Sequence, residues 1–285
     1  QTNGLGGEWG YMTTTVIMVS DIHANSTTGL APLTFNLYSG GTHRANKIQR
    51  WIYSRWLEFR DRAGEARQRN GGRLVLIMNG ELADDNRHGK NQLIELHPDG
   101  MMRLSIEALK PITNLLSDGD LLYVTRGTEA HSGPGSWMDN AIGADLGAVE
   151  SEPGIFSTQN LLVTIDGVRF NVAHHPPCGP GRLPWTQTQY ATRLATIAHF
   201  GAIASKENPP HIYARGHYHV HGDSHDALPV RALALPSWQA PTDYTYRIGG
   251  ERALAVGGVV VTCDRGRYEV ERCIYDWPIR RYEAV

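Results

Sequence analysis

The chain has 285 residues, 41% apolar and 20% charged, with a net charge of −2. That is an ordinary globular composition, with ample chain for a buried core, and it argues against a protein that coats nucleic acid over its whole surface while leaving local basic patches open. No apolar run approaches the roughly 20 residues a membrane helix needs, and no basic segment followed by an apolar stretch reads as a secretory signal, so the expected location is cytoplasmic, with no membrane partner.

Gln1–Tyr11 is Gly-rich and reads as a flexible leader to a single domain over 12–285. Thr15–Ser20 (TVIMVS) is a short apolar, β-branched run, read as a buried strand, that leads into Asp21-Ile22-His23. Arg44–Arg69 reads as a helix, because Ile48, Trp51, Ile52, Trp56 and Phe59 recur at three-to-four spacing. A second strand, Leu74–Met78, leads into Asn79-Gly80-Glu81. Ser105–Leu116 is helical in pattern, with Pro111 expected to kink or split it. Leu121–Thr125 is a third strand, followed by Arg126-Gly127-Thr128-Glu129-Ala130-His131, and Ser136–Leu146 is a short helix with Ser136 as its cap.

Asn160–Ala173 reads as a hairpin turning at Asp166-Gly167, and its second strand leads into His174-His175. Thr186–Lys206 is a longer helix; the strand His211–Ala214 then leads into Arg215-Gly216-His217-Tyr218-His219. Gly257–Asp264 and Arg267–Asp276 form another hairpin, which places Cys263 and Cys273 so that they do not face each other. With Cys178 they make an odd set without metal-site spacing, as expected in a reducing compartment. Strands alternating with helices, and antiparallel pairing toward the C-terminus, predict an α/β fold with a mixed β-sheet sandwich flanked by helices.

In such folds sites form beyond the carboxyl ends of the strands. Here five successive strand ends each deliver potential ligands, and Asp21, His23, Glu81, His174, His217 and His219, from four of them, supply most of the carboxylate and imidazole ligands that two divalent cations require. Residues two apart on extended chain point the same way, so Asp21 and His23 can reach one ion; His217 and His219 share that spacing, though a loop there could send them to two neighbouring ions. The remaining histidines, including His88, read as surface or supporting residues, with His221 the nearest exception.

The ordered set Asp21-Ile22-His23, Gly80-Glu81, Gly127-Thr128-Glu129-Ala130-His131, His174 and Gly216-His217-Tyr218-His219 resembles the calcineurin-like metallophosphoesterase superfamily, with its DxH, GD, GNH, lone His and GHxH blocks. The resemblance implies a dinuclear site at the strand ends, with Glu81 in place of the family's bridging Asp, and with Asp84 or Asp85 as helpers if Glu81 reaches only one ion. It implies His131 as the substrate-side proton donor, and leaves open whether Glu129 or Thr128 is the second-metal ligand. His174 rather than His175 is the implied ligand, with His175 touching substrate. The implied activity is hydrolysis of a phosphate ester by a hydroxide shared between two ions. Manganese is the expected metal, with iron, zinc, nickel or cobalt as alternatives.

For substrate, a phosphodiester is favoured, nucleic acid among the candidates, with a phosphomonoester or a catalytically silent metal-binding scaffold as alternatives. The basic character of Arg44–Arg73 suggests a nucleic-acid-facing helix, against the plainer reading of a solvated helix whose aromatics are its buried face. Arg126 and Arg215 could hold a phosphate oxygen or pair with a carboxylate behind the ligands. Trp185, Trp238, Tyr244 and Tyr246 could line a cleft or cover the sheet edge. The sequence points to no protein partner.

Overall fold

Strand β1 (Thr14–Ser20) is buried along its whole length in this computed structural model, which describes residues 13–86, 92–181, 183–247 and 254–277. The leader expected at 1–11 and His88 lie outside those residues, as does the side chain of Tyr246. Val16 and Met18 of β1 face one apolar cluster while Ile17 and Val19 face another. A strand covered on both faces has no polar alternation, which is why TVIMVS reads as a continuous apolar run.

Beyond β1 come a small hairpin, β2 (Thr34–Asn36) and β3 (Thr42–Arg44), then α1 (Lys47–Asn70), β4 (Leu74–Asn79), α2 (Pro98–Thr113), β5 (Leu121–Thr125), the single turn α3 (Glu129–Ser132) and α4 (Trp137–Asp145). The second half carries β6 (Leu161–Ile165), β7 (Val168–Ala173), α5 (Pro184–Thr188), α6 (Tyr190–Ala204), β8 (Ile212–Arg215), β9 (Gly222–Asp223), β10 (Arg231–Ala234), α7 (Asp243–Arg247), β11 (Val256–Asp264) and β12 (Arg267–Tyr275). No helix among the described residues is long and apolar enough to cross a membrane.

One sheet has the order β12-β11-β1-β4-β5, with β1, β4 and β5 parallel and the two C-terminal strands antiparallel. The other has the order β6-β7-β8-β10-β9, with β7, β8 and β10 parallel between antiparallel edges. Val16, Met18, Val75, Ile77 and Val259 of the first sheet meet Val172, Ile212 and Leu233 of the second. Outside the first sheet, Trp56 and Phe59 of α1 and Leu104 and Leu109 of α2 cover Ile17, Leu74 and Leu76. Outside the second, Tyr190 and Leu194 of α6 cover Tyr213, Ala232 and Ala234. The result is four layers, helix on sheet on sheet on helix, the mixed sandwich expected.

Several boundaries differ from the sequence reading. α2 starts seven residues earlier, at Pro98, which fits the first turn because its missing N–H is unpaired there anyway. It runs unbroken to Thr113, because Pro111 falls in the last turn. Ser136 does not cap α4: its backbone is left-handed and its hydroxyl donates to the Gly127 carbonyl (2.8 Å). The helix expected over Thr186–Lys206 is two, α5 and α6, parted at Gln189. Cys263 pairs with Tyr268 and Cys273 with Gly258 in the β11–β12 ladder, so the two thiols lie on opposite faces; all three cysteines are free.

α1 fixes the frame that carries the site. Asn46 accepts from the Gln49 amide (2.9 Å) while Gln49 accepts from the Asn46 amide (3.0 Å), and Gln49 also donates to the Ser26 carbonyl. This reciprocal cap anchors the helix start beside the loop that follows β1. The helix ends at Gly71, whose left-handed backbone (φ 63°) closes the last turn. Arg67 then reaches Asp120, just before β5 (2.6 Å), and Asp120 also accepts from the amides of Leu74 (2.7 Å) and Ser117 (2.8 Å).

Burial works to raise the Asp120 pKa, but these donors and Arg67 hold it below its ordinary value. The stability it contributes is complete above the unfolded-state value of about 3.9 and is lost as pH falls through the lowered folded value. In urea unfolding, Asp120→Asn should cost about 1–3 kcal/mol at neutral pH, and its gap from wild type should close on acidification. A gap independent of pH would show that the carboxylate charge does not matter there.

Candidate metal centre

The carboxyl ends of β1, β4, β5, β7 and β8 meet at one edge of the sandwich, and their loops are laced together by backbone hydrogen bonds. Asp21 N donates to Gly80 O (3.2 Å), His23 N to Glu81 O (2.9 Å) and Gly216 N to His174 O (3.1 Å). Asp21, His23, Glu81, His217 and His219 all have left-handed backbones, with φ of 53°, 47°, 53°, 76° and 57°. For residues with a Cβ such conformations cost about 1–3 kcal/mol each and persist only where the surroundings impose them. This corrects the extended-chain geometry expected for Asp21 and His23, and at His217 and His219 it is the loop alternative that holds: sharp turns, not strand alternation, aim these side chains inward. Close approach also constrains Gly127, because a Cβ there would stand 2.5 Å from the Glu81 amide nitrogen.

Two groups of ligand atoms share Glu81, each within 4.8 Å: Asp21, His23, Glu81 and His219, and Glu81, His174 and His217; a third group, His23, Asp84 and His131, adjoins the first through His23. Glu81 Oε2 is 3.0 Å from His23 Nε2, while its Oε1 is 3.2 Å from His174 Nε2 and 3.9 Å from His217 Nδ1. His219 Nε2 lies 3.1 Å from His23 Nε2 and 3.2 Å from Asp21 Oδ1. Asp21 accepts from the His217 amide (3.0 Å) and from the Ser20 hydroxyl. His217 and His219 thus part, one to each group.

The imidazoles are oriented from behind. His174 Nδ1 donates to the Asn79 carbonyl (2.9 Å), which leaves Nε2 as the atom aimed at Glu81. His23 Nδ1 donates to Asp84 (3.1 Å). The same Asp84 oxygen is 2.5 Å from His131 Nδ1, and the His131 ring stands edge-on to His23 at 4.6 Å.

Burial alone would push the three carboxyls up, yet their neighbours win. His174 and His219 hold Asp21 at about 2, His174 and His131 hold Glu81 well below its ordinary value, and His23 and His131 do the same for Asp84. Burial opposes the charged form of the histidines too, but Asp84 and Glu81 raise His23 to about 10, and Glu81 and Asp21 raise His174 to about 9. His219 goes the other way, lowered chiefly by burial.

These residues fit divalent cations. His174 Nε2 and His217 Nδ1 are buried without a hydrogen-bond partner among the described residues, although both face Glu81. His23 Nε2 and His219 Nε2 confront each other, a contact that only one proton, or one cation, reconciles. Buried polar atoms left in this state call for an ion.

The other predicted residues lie apart from the two groups. Glu129 is exposed and accepts from the Gly135 amide (3.1 Å), whereas the Thr128 hydroxyl donates to Glu81 Oε1. Asp85 accepts from the Asn86 amide. Arg126 donates to Ser157 (3.2 Å). Arg215 is buried, donates to Asn171 and lies over the Tyr213 ring, and burial lowers it to about 10. His175 stands at the mouth, exposed along one side, its ring about 5 Å from those of His174 (5.1 Å) and His217 (5.3 Å); partial desolvation of the ring, then those two neighbours, lower its pKa. Trp238 is wholly buried, while Trp185 and Tyr244 are exposed.

Asp139 of α4 was not singled out from the sequence. It is fully buried, accepting from the amides of Leu82 (3.0 Å) and Gly127 (2.7 Å), and so ties the loop carrying Glu81 to the loop carrying Thr128 and His131. No motif marks it; only a lone acid amid the apolar positions of a short helix could have raised suspicion.

No protein-family model matches the chain, and no curated protein is significantly similar to it. Among solved structures it is similar to Vacuolar Protein Sorting 29 from Cryptosporidium parvum (10% identity, 93% of this chain and 100% of that one, TM-score 0.42). It is also similar to a dimetal phosphatase from Danio rerio (11%, 92% and 99%, TM-score 0.40) and to wild-type Vps29 complexed with zinc from Entamoeba histolytica (11%, 92% and 99%, TM-score 0.36). These are likenesses of fold alone. The two-sheet sandwich is the fold implied by the resemblance to the calcineurin-like metallophosphoesterases, and Asp21, His23, Glu81, His174, His217 and His219 gather at its strand ends, while Glu129 does not join them.

Two measurements bear on this centre. Metal and proton compete for the same imidazole nitrogens, and His23 and His174 keep their protons up to about 10 and about 9. Mn²⁺ affinity by calorimetry should therefore climb with pH until those values are passed. Without metal, the stability these histidines lend is complete below the unfolded value of about 6.5, and thermal unfolding should show it fading as pH rises through 9 to 10. Metal affinity that is flat with pH would mean that protons do not hold the cation positions. Separately, Asp139→Ala should weaken metal binding roughly 10- to 100-fold by loosening the two loops; unchanged affinity would make Asp139 a purely structural residue.

Proposed function

We propose that the protein is a two-metal hydrolase of phosphate esters acting on phosphodiesters. The observation that carries this reading is Glu81, whose two oxygens each face a different set of buried imidazoles. Asp21, His23, Glu81 and His219 would hold one ion, and Glu81, His174 and His217 the other. Mixed imidazole and carboxylate donors suit Mn²⁺, the ion we expect, as well as iron, zinc, cobalt or nickel. Bound there, the ions supply a water of lowered pKa and neutralise charge on the phosphoryl oxygens.

The chain's own residues do the rest. Asp84 engages His131 at Nδ1, so Nε2 is the atom from which His131 would protonate the leaving oxygen. Thr128 holds Glu81 Oε1 in place through its hydroxyl. His175, at the mouth, would touch the ester. A diester carries a single negative charge, which suits a mouth where Arg126 and Arg215 are engaged elsewhere; a dianionic monoester would want those cations. Nucleic acid draws little support from α1. Arg55, Arg60 and Arg62 pair with Glu58 or Asp61, Arg67 pairs with Asp120, and the helix runs away from the strand ends.

The test compares bis(p-nitrophenyl) phosphate with p-nitrophenyl phosphate, using metal-stripped protein with and without Mn²⁺. We expect Mn-dependent diester cleavage that is abolished by His217→Ala and reduced roughly 10²–10⁴-fold by His131→Ala. Faster monoester cleavage would reverse the substrate assignment. Metal binding with no turnover would leave a silent scaffold.

A further inference from the structure

The loop 175–181, between β7 and α5, carries His175 and has few ties of its own to the fold. Pro176, Pro177 and Pro180 have no N–H to donate. Among the described residues, none of the loop's other amides donates a hydrogen bond, and its carbonyls receive hydrogen bonds from one side chain, Arg193, in the first turn of α6. Arg193 Nη2 lies 3.1 Å from Gly179 O, 2.9 Å from Pro180 O and 3.1 Å from Thr186 O in α5. Its guanidinium stands over the ring of Tyr190 at 5.9 Å, and Tyr190 is buried against the second sheet. Tyr218 packs on the same stretch of loop: a Cβ at Gly179 would stand 3.2 Å from its hydroxyl, and its ring meets that of His217 edge-on at 4.9 Å.

We propose that Arg193 is a positioning residue for the candidate site: by holding the carbonyls of Gly179 and Pro180 it keeps His175 beside His174 and His217, where it meets the phosphoryl group of the substrate. This role rests on the proposed two-metal site, and it concerns binding rather than the chemical step. The cation positions do not depend on the tie. His174 is oriented by the Asn79 carbonyl, and the His217 amide is fixed by Asp21. Loss of the guanidinium frees the loop and His175 with it, and leaves the ligands where they are. The ordering of the loop then has to be supplied when substrate binds.

Binding of inorganic phosphate to the Mn²⁺-loaded chain, measured by calorimetry, reads this without requiring turnover. Arg193→Met removes the donors and keeps a good helix former. It should weaken phosphate binding roughly 2- to 10-fold, the cost of ordering a side chain on binding, with Mn²⁺ affinity and the circular dichroism spectrum unchanged. Arg193→Lys, whose ammonium can still reach the carbonyls, should recover part of the loss. With bis(p-nitrophenyl) phosphate, KM should rise by the same factor while kcat holds. In a His175→Ala background, Arg193→Met should add nothing further. The proposal is overturned by a metal-loaded chain that binds no phosphate, by phosphate affinity indifferent to Arg193→Met, by an equal further loss in the His175→Ala background, or by a parallel fall in Mn²⁺ affinity. The expected phosphate pattern in a chain that cleaves no ester would end the hydrolase reading and leave the positioning role standing.

Discussion

The carboxylate of Glu81 is the constraint around which the site is built. Two sets of imidazoles converge on its two oxygens, and the Thr128 hydroxyl closes on one of them. Glutamate is one methylene longer than aspartate, and the structure accommodates that length by a left-handed turn at Glu81 and by close approach to Gly127, where no side chain could fit. Asp139 secures both sides of this approach at once, by accepting the amides of Leu82 and Gly127. A carboxylate buried among five histidines and two further acids would be costly if it were unpaired, and His23 and His174, both raised, supply positive charge against it.

Behind the cluster, the sheets do plain mechanical work. Parallel strands deliver their carboxyl ends to one edge, and the apolar layers on both faces leave them little freedom to slide. Asp84 adds a link of another kind, since one of its oxygens serves both His23 and His131. Orientation of a ligand and orientation of the proposed proton donor therefore depend on a single carboxylate.

Much of this was legible in the chain. Buried strands announce themselves as short apolar runs, and histidines and acids placed directly after them can point to few places other than the crevice. Harder to read were features that depend on how loops fold back. Glu129 and Thr128 are adjacent, and only the turn of α3 shows which one faces Glu81. Arg215 sits within a ligand-rich segment but points along the strand into the packing beneath, where it donates to Asn171. Asp139 acts from a helix on the far side of the Gly127 loop, and nothing local in the sequence connects it to Glu81. The start of α2 is hard to read because Pro98, Asp99 and Gly100, its first residues, have the composition of a turn.

The left-handed backbone at Asp21, His23, Glu81, His217 and His219 also sets what mutation and selection would find here. Glycine adopts that conformation without penalty, but at any of these positions it would also remove an imidazole or carboxylate that pairs with its neighbours and leave a buried charge unmatched. Relief of backbone strain and loss of pairing therefore oppose each other here. A laboratory evolution scheme that rewarded only survival at high temperature would find no easy route through the cluster and would draw its gains from the sandwich beneath.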